Sequence, residues 1–406
     1  MRRVPPFPPV AAPVGPLSNR AQTRRRTIRI AAGAALLALA GCRQRAAAPA
    51  TPVVPAKAAS VPAAPPPLPP LPPGGVKGIY LTGWTAGTKN HFNHLVGLVD
   101  RTELNAMVID VKDDGNVTYG ADVPLVKQIG ANRHMVADID KLMATLKAHN
   151  IFPIARIVCF RDTPLAEARP DMAVLAPNGK VWHDKTGHAW LNPYNKATWD
   201  YNVDLALDAI KHGFKEIQFD YVRFPSEGKI STLKYPGKPK NSLRRDQISA
   251  FLKYAREKIK AQGAWFSADV FGLTSLVEHD MGIGQTRTNV AKQIDYLCPM
   301  VYPSHYALGE YHIPNPNKEP YKIVHLSVGD AKKRLKDVPT CKLRPWLQDF
   351  SLHGVHYGPA QVKAQIKAVR DLNIHEFLLW NAGCKYTEAA LAKEASRHVV
   401  RNTGKP

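Results

Sequence analysis

The sequence predicts an α/β fold, a (β/α)8 TIM barrel set behind an export signal and a proline-rich tether. Three observations carry that reading. Short apolar runs alternate with amphipathic segments eight times, the pattern of a parallel barrel. No glycine-rich phosphate loop follows the first run, which removes the main support for an open doubly wound sheet. The chain has 406 residues, 45% of them hydrophobic, enough for one large barrel with a sizeable core.

The first 42 residues read as a lipoprotein-type signal peptide. Arg24 to Arg29 is a positive region, and Ile30 to Ala40 an apolar one too short to span a bilayer. Leu39-Ala40-Gly41-Cys42 closes it with two small residues before a cysteine. That order resembles a bacterial lipoprotein signal, which implies that Cys42 is lipidated and anchors the chain to a membrane. The expected location is exported and membrane-anchored, periplasmic or cell-surface. Thr23 to Ile28 also looks like a twin-arginine signal. The long stretch ahead of it places the expected start downstream of Met1.

Residues 43–75 form a Pro/Ala-rich linker with eleven prolines between Pro49 and Pro73. Such a segment favours extended polyproline II, at roughly 3.1 Å per residue up to about 100 Å in reach. It reads as a disordered tether holding residues 76–400, the barrel domain, away from the membrane.

Charge is uneven. Ten of the 55 basic residues and none of the 33 acidic ones lie in the first 75, which leaves +12 for the remainder. That charge fits a solvated basic surface or an anionic partner. No Arg/aromatic pattern of a nucleic-acid module is visible. Cys159, Cys298, Cys341 and Cys384 are scattered without metal-ligand spacing, so buried free thiols are expected and no metal or cofactor.

Strands are expected at Val76–Trp84, Ala106–Lys112, Phe152–Phe160, Glu216–Tyr221, Trp265–Phe271, Tyr296–Tyr302, Leu343–Phe350 and Glu376–Asn381. Amphipathic helices fall between them. Asp138–Asn150 carries Ile139, Leu142, Met143 and Leu146 on one face. Ser242–Lys260 carries Ile248, Phe251, Leu252, Ala255 and Ile259. Pro359–Leu372 carries Val362, Ile366 and Val369. A long insertion, Asp162–Thr198, follows the third strand and is expected to wall the active end.

Barrel chemistry gathers at the C-terminal strand ends, and alternation tells which side chains face the axis. It turns Gln218 and Asp220 inward in the fourth strand, Ser267 and Asp269 in the fifth, and Val108, Asp110 and Lys112 in the second. Asp113 and Asp114 follow at the rim. In the seventh strand Gln348 and Asp349 stay ambiguous. Crowded carboxylates raise at least one pKa, giving a protonated acid beside an ionised partner. Glycoside hydrolysis needs that pair, so the expected partner is a carbohydrate.

Asp110-Val111-Lys112-Asp113-Asp114-Gly115, Phe219-Asp220-Tyr221-Val222-Arg223-Phe224-Pro225 and Pro299-Met300-Val301-Tyr302-Pro303 resemble a largely uncharacterised bacterial family of glycoside hydrolase-like barrels. That family is distantly similar to the α-amylase-like enzymes. The resemblance runs from Val76 to about Gly383. It implies a retaining hydrolase acting on a polysaccharide or oligosaccharide of the cell envelope or exterior. Asp220 matches the nucleophile, Asp269 the acid/base and Asp349 the transition-state-stabilising carboxylate. Two departures stand out. The acid/base is normally Glu, and the arginine expected two residues before the nucleophile is Gln218, with Arg223 three residues after it. Asp110 or Asp113 is the alternative acid.

Trp84, Trp380 and Tyr302 are candidates to stack on sugar rings or to fill the core. Lys112, Arg156 and Arg223 are candidates to orient the carboxylates, to bind an acidic sugar or to form structural ion pairs. Gln348 and Asn381 are candidate hydroxyl-binding groups. Two other functions compete: a carbohydrate-binding barrel without turnover, and a metal-dependent polysaccharide deacetylase using Asp113, Asp114, His183 and His188. The five-residue histidine spacing fits a metal site poorly.

Overall fold

The computed structural model describes residues 64–275 and 279–392. The expected signal with Cys42, most of the tether and the end of the 76–400 domain lie outside the described residues.

Eight parallel strands close on themselves. They are β1 (Lys77–Leu81), β2 (Ala106–Asp113), β3 (Phe152–Val158), β4 (Glu216–Asp220), β5 (Trp265–Phe271), β6 (Tyr296–Met300), β7 (Trp346–Gln348) and β8 (Phe377–Trp380). Each pairs with the next in sequence, and β8 pairs back onto β1 with Gly78 opposite Leu378. The chain is thus a (β/α)8 barrel. The helices outside it are α1 (Lys89–Arg101), α2 (Ile139–Ala148), α3 (Lys196–Lys211), α4 (Arg244–Ala261), α5 (Arg287–Ala291), α6 (Pro320–Arg334) and α7 (Pro359–Arg370).

Local chemistry sets these boundaries. Asp138 caps α2 by accepting from Lys141 N at 2.9 Å, and Asn195 caps α3 by accepting from Ala197 N at 3.0 Å. The apolar faces read from the sequence are the buried ones: Leu142, Met143 and Leu146 on α2, Ile248 through Ile259 on α4, and Val362, Ile366 and Val369 on α7. The repeat is thinnest after β5, where five residues form α5.

Residues 64–75 do not leave the barrel freely. Trp265, at the start of β5, donates its indole N–H to the Pro69 carbonyl at 2.9 Å, and Leu71 packs on the core. Gly263 admits the chain there, because a Cβ would sit 2.9 Å from Pro66. The expected tether therefore meets the domain near Pro66 rather than at Val76. The four cysteines of the domain are free and buried.

Candidate active site

At the C-terminal end of the barrel one arginine gathers the carboxylates. Arg156 projects inward from β3, where every residue is buried. Its Nη1 donates to Asp110 Oδ1 at 2.6 Å; its Nη2 and Nε donate to Asp220 Oδ2 at 2.6 and 3.1 Å. Asp110 comes from the middle of β2 and Asp220 from the last position of β4, so the guanidinium bridges both neighbouring strands. Asp113 lies 3.6 Å from the same Nη1, half-exposed at the rim. Burial opposes a charge on Arg156, but Asp110 and Asp220 outweigh it and hold the group firmly protonated.

The second oxygen of Asp110 accepts from Tyr80 Oη at 2.5 Å. Burial, only partly offset by Arg156, pushes its pKa up to about 7. Tyr80 in turn stacks on Trp380 of β8 at 3.9 Å, and the Arg156 guanidinium lies 5.2 Å over the indole. Trp380 therefore braces the cation. Trp84 differs: it sits on a short helix just beyond β1 and is 65% exposed, presented to solvent as a stacking platform would be.

Asp269 of β5 is the carboxyl that Arg156 does not bond. Its Oδ1 accepts from Trp346 Nε1 at 2.8 Å, and Oδ2 has no hydrogen bond among the described residues. Burial first, and the charge of Asp220 second, drive its pKa well above the carboxylate range. Tyr302, buried beyond β6, has its own pKa raised by burial and then by the charges of Asp269 and Asp220. The Asp220 oxygen not bonded by Arg156 accepts from the Tyr221 amide at 2.6 Å.

Other expected residues are occupied elsewhere. Lys112 is a correction. A register shift between Asp110 and Lys112 interrupts the β2–β3 pairing, so alternation fails there. Lys112 points away from the mouth, fully buried, 2.8 Å from Asp162 and 4.7 Å from the centre of the Tyr201 ring. It is a structural ion pair. Asp349 gives both carboxylate oxygens to Thr387, at 2.6 and 2.9 Å, and so anchors the loop after β8. Gln348 accepts from Ser304 N and donates to Phe350 O, which braces two loops. Asn381 accepts from Gly383 N and donates to the Asp349 carbonyl. Both amides are thus tied to loop backbone.

The insertion after β3 does cover this end. Asp114 Oδ2 bonds His188 Nδ1 at 2.6 Å, and its other oxygen accepts from Thr163. Asp114 and Gly115 both have positive φ, the turn that an Asp-Gly pair favours. A Cβ on Gly115 would meet Asp162 at 2.1 Å, so glycine is required. His183 bonds Glu167 instead. The two histidines thus serve different carboxylates, and among the described residues no three His, Cys, Asp or Glu side chains converge as a metal would require. Sequence reading did not pick out Tyr80, Arg161, Tyr221 or Trp190. Tyr80 was within its reach, since alternation in β1 turns it to the axis. Arg161, Tyr221 and Trp190 sit on irregular backbone where no period applies.

A family model described as "Putative glycosyl hydrolase domain" matches residues 78–386. Among solved structures, the PgaB (BpsB) glycoside hydrolase domain from Bordetella bronchiseptica is similar at 12% identity and a TM-score of 0.58, covering 80% of this chain and 99% of that one. The α-galactosidase TtGalA from Thermus thermophilus, solved with p-nitrophenyl α-D-galactopyranoside, is similar at 14% identity and a TM-score of 0.50, covering 79% and 60%. A hypothetical protein from Ruminiclostridium thermocellum ATCC 27405 is 41% identical over 47% of this chain and 97% of its own, with a TM-score of 0.44. At their identities the two hydrolases share the barrel fold with this chain and nothing finer. No curated protein matches it.

Proposed function

The chain belongs to the glycosyl hydrolase family whose model spans residues 78–386, and from that premise we propose that it cleaves a polysaccharide or oligosaccharide of the cell envelope or exterior with retention, through Asp220 and Asp269. One observation carries the assignment. The Arg156 guanidinium bonds Asp220 through two nitrogens and leaves Asp269 out. Asp220 is thereby oriented as the nucleophile, and Asp269, buried without a cation partner, is the carboxyl that keeps a proton. Of the two raised carboxyls nearest Asp220, Asp110 has both oxygens engaged, whereas Asp269 keeps one without a partner among the described residues.

In the first step Asp269 gives its proton to the glycosidic oxygen, and the bond to the anomeric carbon breaks. Asp220 adds to that carbon from the opposite face, forming a glycosyl ester. In the second step the ionised Asp269 takes a proton from water, whose oxygen displaces Asp220 and restores both groups. Arg156 orients the nucleophile and carries its charge when it leaves. Export by way of a lipidated Cys42 and the proline-rich tether would present the barrel to such glycans.

The test is a hydrolysis screen on envelope and exopolysaccharides, with proton NMR of the first anomer released. The proposal expects retention with the wild-type chain and no product with Asp220→Asn. Inversion, or equal products from both, would sink it. A second reading has its own support: Asp269 is 1% exposed and shorter than the Glu of related sites. Glycan binding without turnover by the wild-type chain would establish that reading, a carbohydrate-binding barrel.

A further inference from the structure

Three arginines among the described residues are buried: Arg156, Arg223 and Arg344. Arg156 and Arg344 bond carboxylates at 2.6 to 2.9 Å. Arg223, 7% exposed, has no carboxylate within ion-pair reach among the described residues. Its Nη1 donates to the Phe224 carbonyl at 3.1 Å and lies 3.4 Å from Ser226 Oγ. Its Nε and Nη2 have no hydrogen bond among the described residues. Three rings surround the guanidinium instead: Trp190 at 4.8 Å, Phe271 at 4.8 Å and Tyr221 at 5.0 Å. Burial draws its pKa down to about 10.

Each wall of this box comes from a different segment of the barrel's active end. Trp190 belongs to the insertion after β3 and is fixed by Asp184 at 3.1 Å. Phe271 ends β5. Tyr221 directly follows Asp220 and has φ +48°, a strained conformation for an aromatic residue. A second guanidinium, that of Arg161, lies 4.0 Å over the same Tyr221 ring and donates to its hydroxyl at 2.7 Å. Asp113 and Asp114 approach Arg161 only to 3.8 and 4.0 Å. Two cations therefore flank one tyrosine beside the nucleophile. Arg223 is three residues past Asp220, so their Cα atoms are at most about 10 Å apart.

A buried cation with no counter-ion is costly, and an arginine presenting an open Nε/Nη2 edge has the two parallel donors that accept a planar or tetrahedral anion. Aromatic walls exclude water and strengthen such a bond. We infer that Arg223, in the box of Trp190, Tyr221 and Phe271, receives an anionic substituent of the sugar held at Asp220, so that the substrate is an acidic glycan. The inference rests on the proposed function for the position of the glycan and adds its chemical class. The +12 charge of the region after residue 75 draws the same class of polymer from a distance.

The test measures binding to the full chain carrying Asp220→Asn, which spares the glycan. The probes are oligouronates, the same oligomers with every carboxyl reduced to the alcohol, and sulfated and phosphorylated oligosaccharides as separate arms. At least one anionic series should bind about 10-fold or more tighter than its neutral counterpart. Arg223→Gln should erase that preference and Arg223→Lys should keep part of it. The arm that responds identifies the anion. Equal affinity for anionic and neutral probes overturns the inference, as does an unchanged preference in a folded Arg223→Gln chain. If Arg223→Gln does not fold, the preference of the chain with Arg223 intact decides in the same way. Hydrolysis is read separately on wild type. Anion-selective binding without cleavage would leave this inference standing and remove the hydrolytic one; cleavage of neutral glycans with no Arg223-dependent preference would do the reverse.

Discussion

The barrel holds two buried arginine–carboxylate clusters, one at its floor and one at its mouth. At the floor Arg344 bonds both oxygens of Glu216 at 2.7 and 2.8 Å and reaches Glu376 at 2.9 Å. Ser267 donates to Glu216 as well, and Tyr296 lies 3.7 Å under the guanidinium. One carboxylate is fully buried there and one cation serves it. At the mouth Asp110, Asp220 and Asp269 are all buried, and among the described residues Arg156 bonds the first two and leaves Asp269 out. At the floor both carboxylates bond the cation, and the cluster simply joins strands. At the mouth Asp269 has a proton in place of a cation, and a carboxyl that holds a proton near neutral pH can deliver one. The two clusters use the same residue types; the carboxyl left without a cation separates the chemical site from the structural one.

Breaking the mouth should abolish activity, and breaking the floor should weaken the fold. The largest effect is expected from Asp220→Asn, a fall in turnover on the order of 10⁴-fold or more per folded molecule, measured on any glycan the screen identifies. Asp269→Asn should lower kcat by about 10²–10⁴-fold and remove the alkaline limb of its pH profile; a retained limb would assign the proton to another group. At the floor, Arg344→Met strands Glu216 and should cost about 3–5 kcal/mol of stability, seen in denaturant unfolding, while turnover per folded molecule stays the same.

The pH dependence sharpens the contrast further. Asp110 has a folded pKa of about 7, above that of an unfolded aspartate. Between those values the folded state binds more protons, so stability falls as pH rises through that window. Asp110→Asn should flatten this slope, and Arg344→Met should leave it in place. The smallest effect is expected at the insertion. Asp114 raises the pKa of His188, so this contact contributes fully below the unfolded histidine pKa and is lost as pH climbs through the folded one. His188→Ala should cost about 1 kcal/mol at low pH and almost nothing at high pH, with faster proteolysis of residues 162–195 as the readout.

The sequence shows the barrel because its strands and helices keep their periods, and it places Asp220 and Asp269 because β4 and β5 are regular. Lys112 went astray at a bulge that alternation cannot foresee; the sign nearby was Gly115, whose missing side chain makes room for Asp162. Asp349 and Gln348 look like mouth residues by position, but loops after β6 and β8 take up their polar atoms, and loop paths leave no periodic trace. Arg156 was visible as a candidate to orient the carboxylates, yet its choice between Asp220 and Asp269 depends on side-chain reach across strands. The Arg223 box is assembled from three distant segments, so only the folded chain displays it.

The central claim is that the mouth stores a proton on Asp269 while Asp220 stays ionised. Carbon-13 NMR of aspartate-labelled full chain at pH 7 tests it directly. The account predicts a protonated carboxyl resonance that disappears in Asp269→Asn, and an ionised resonance assigned through Asp220→Asn. An Asp269 carboxyl found ionised at pH 7, or a proton found on Asp220 instead, would contradict it.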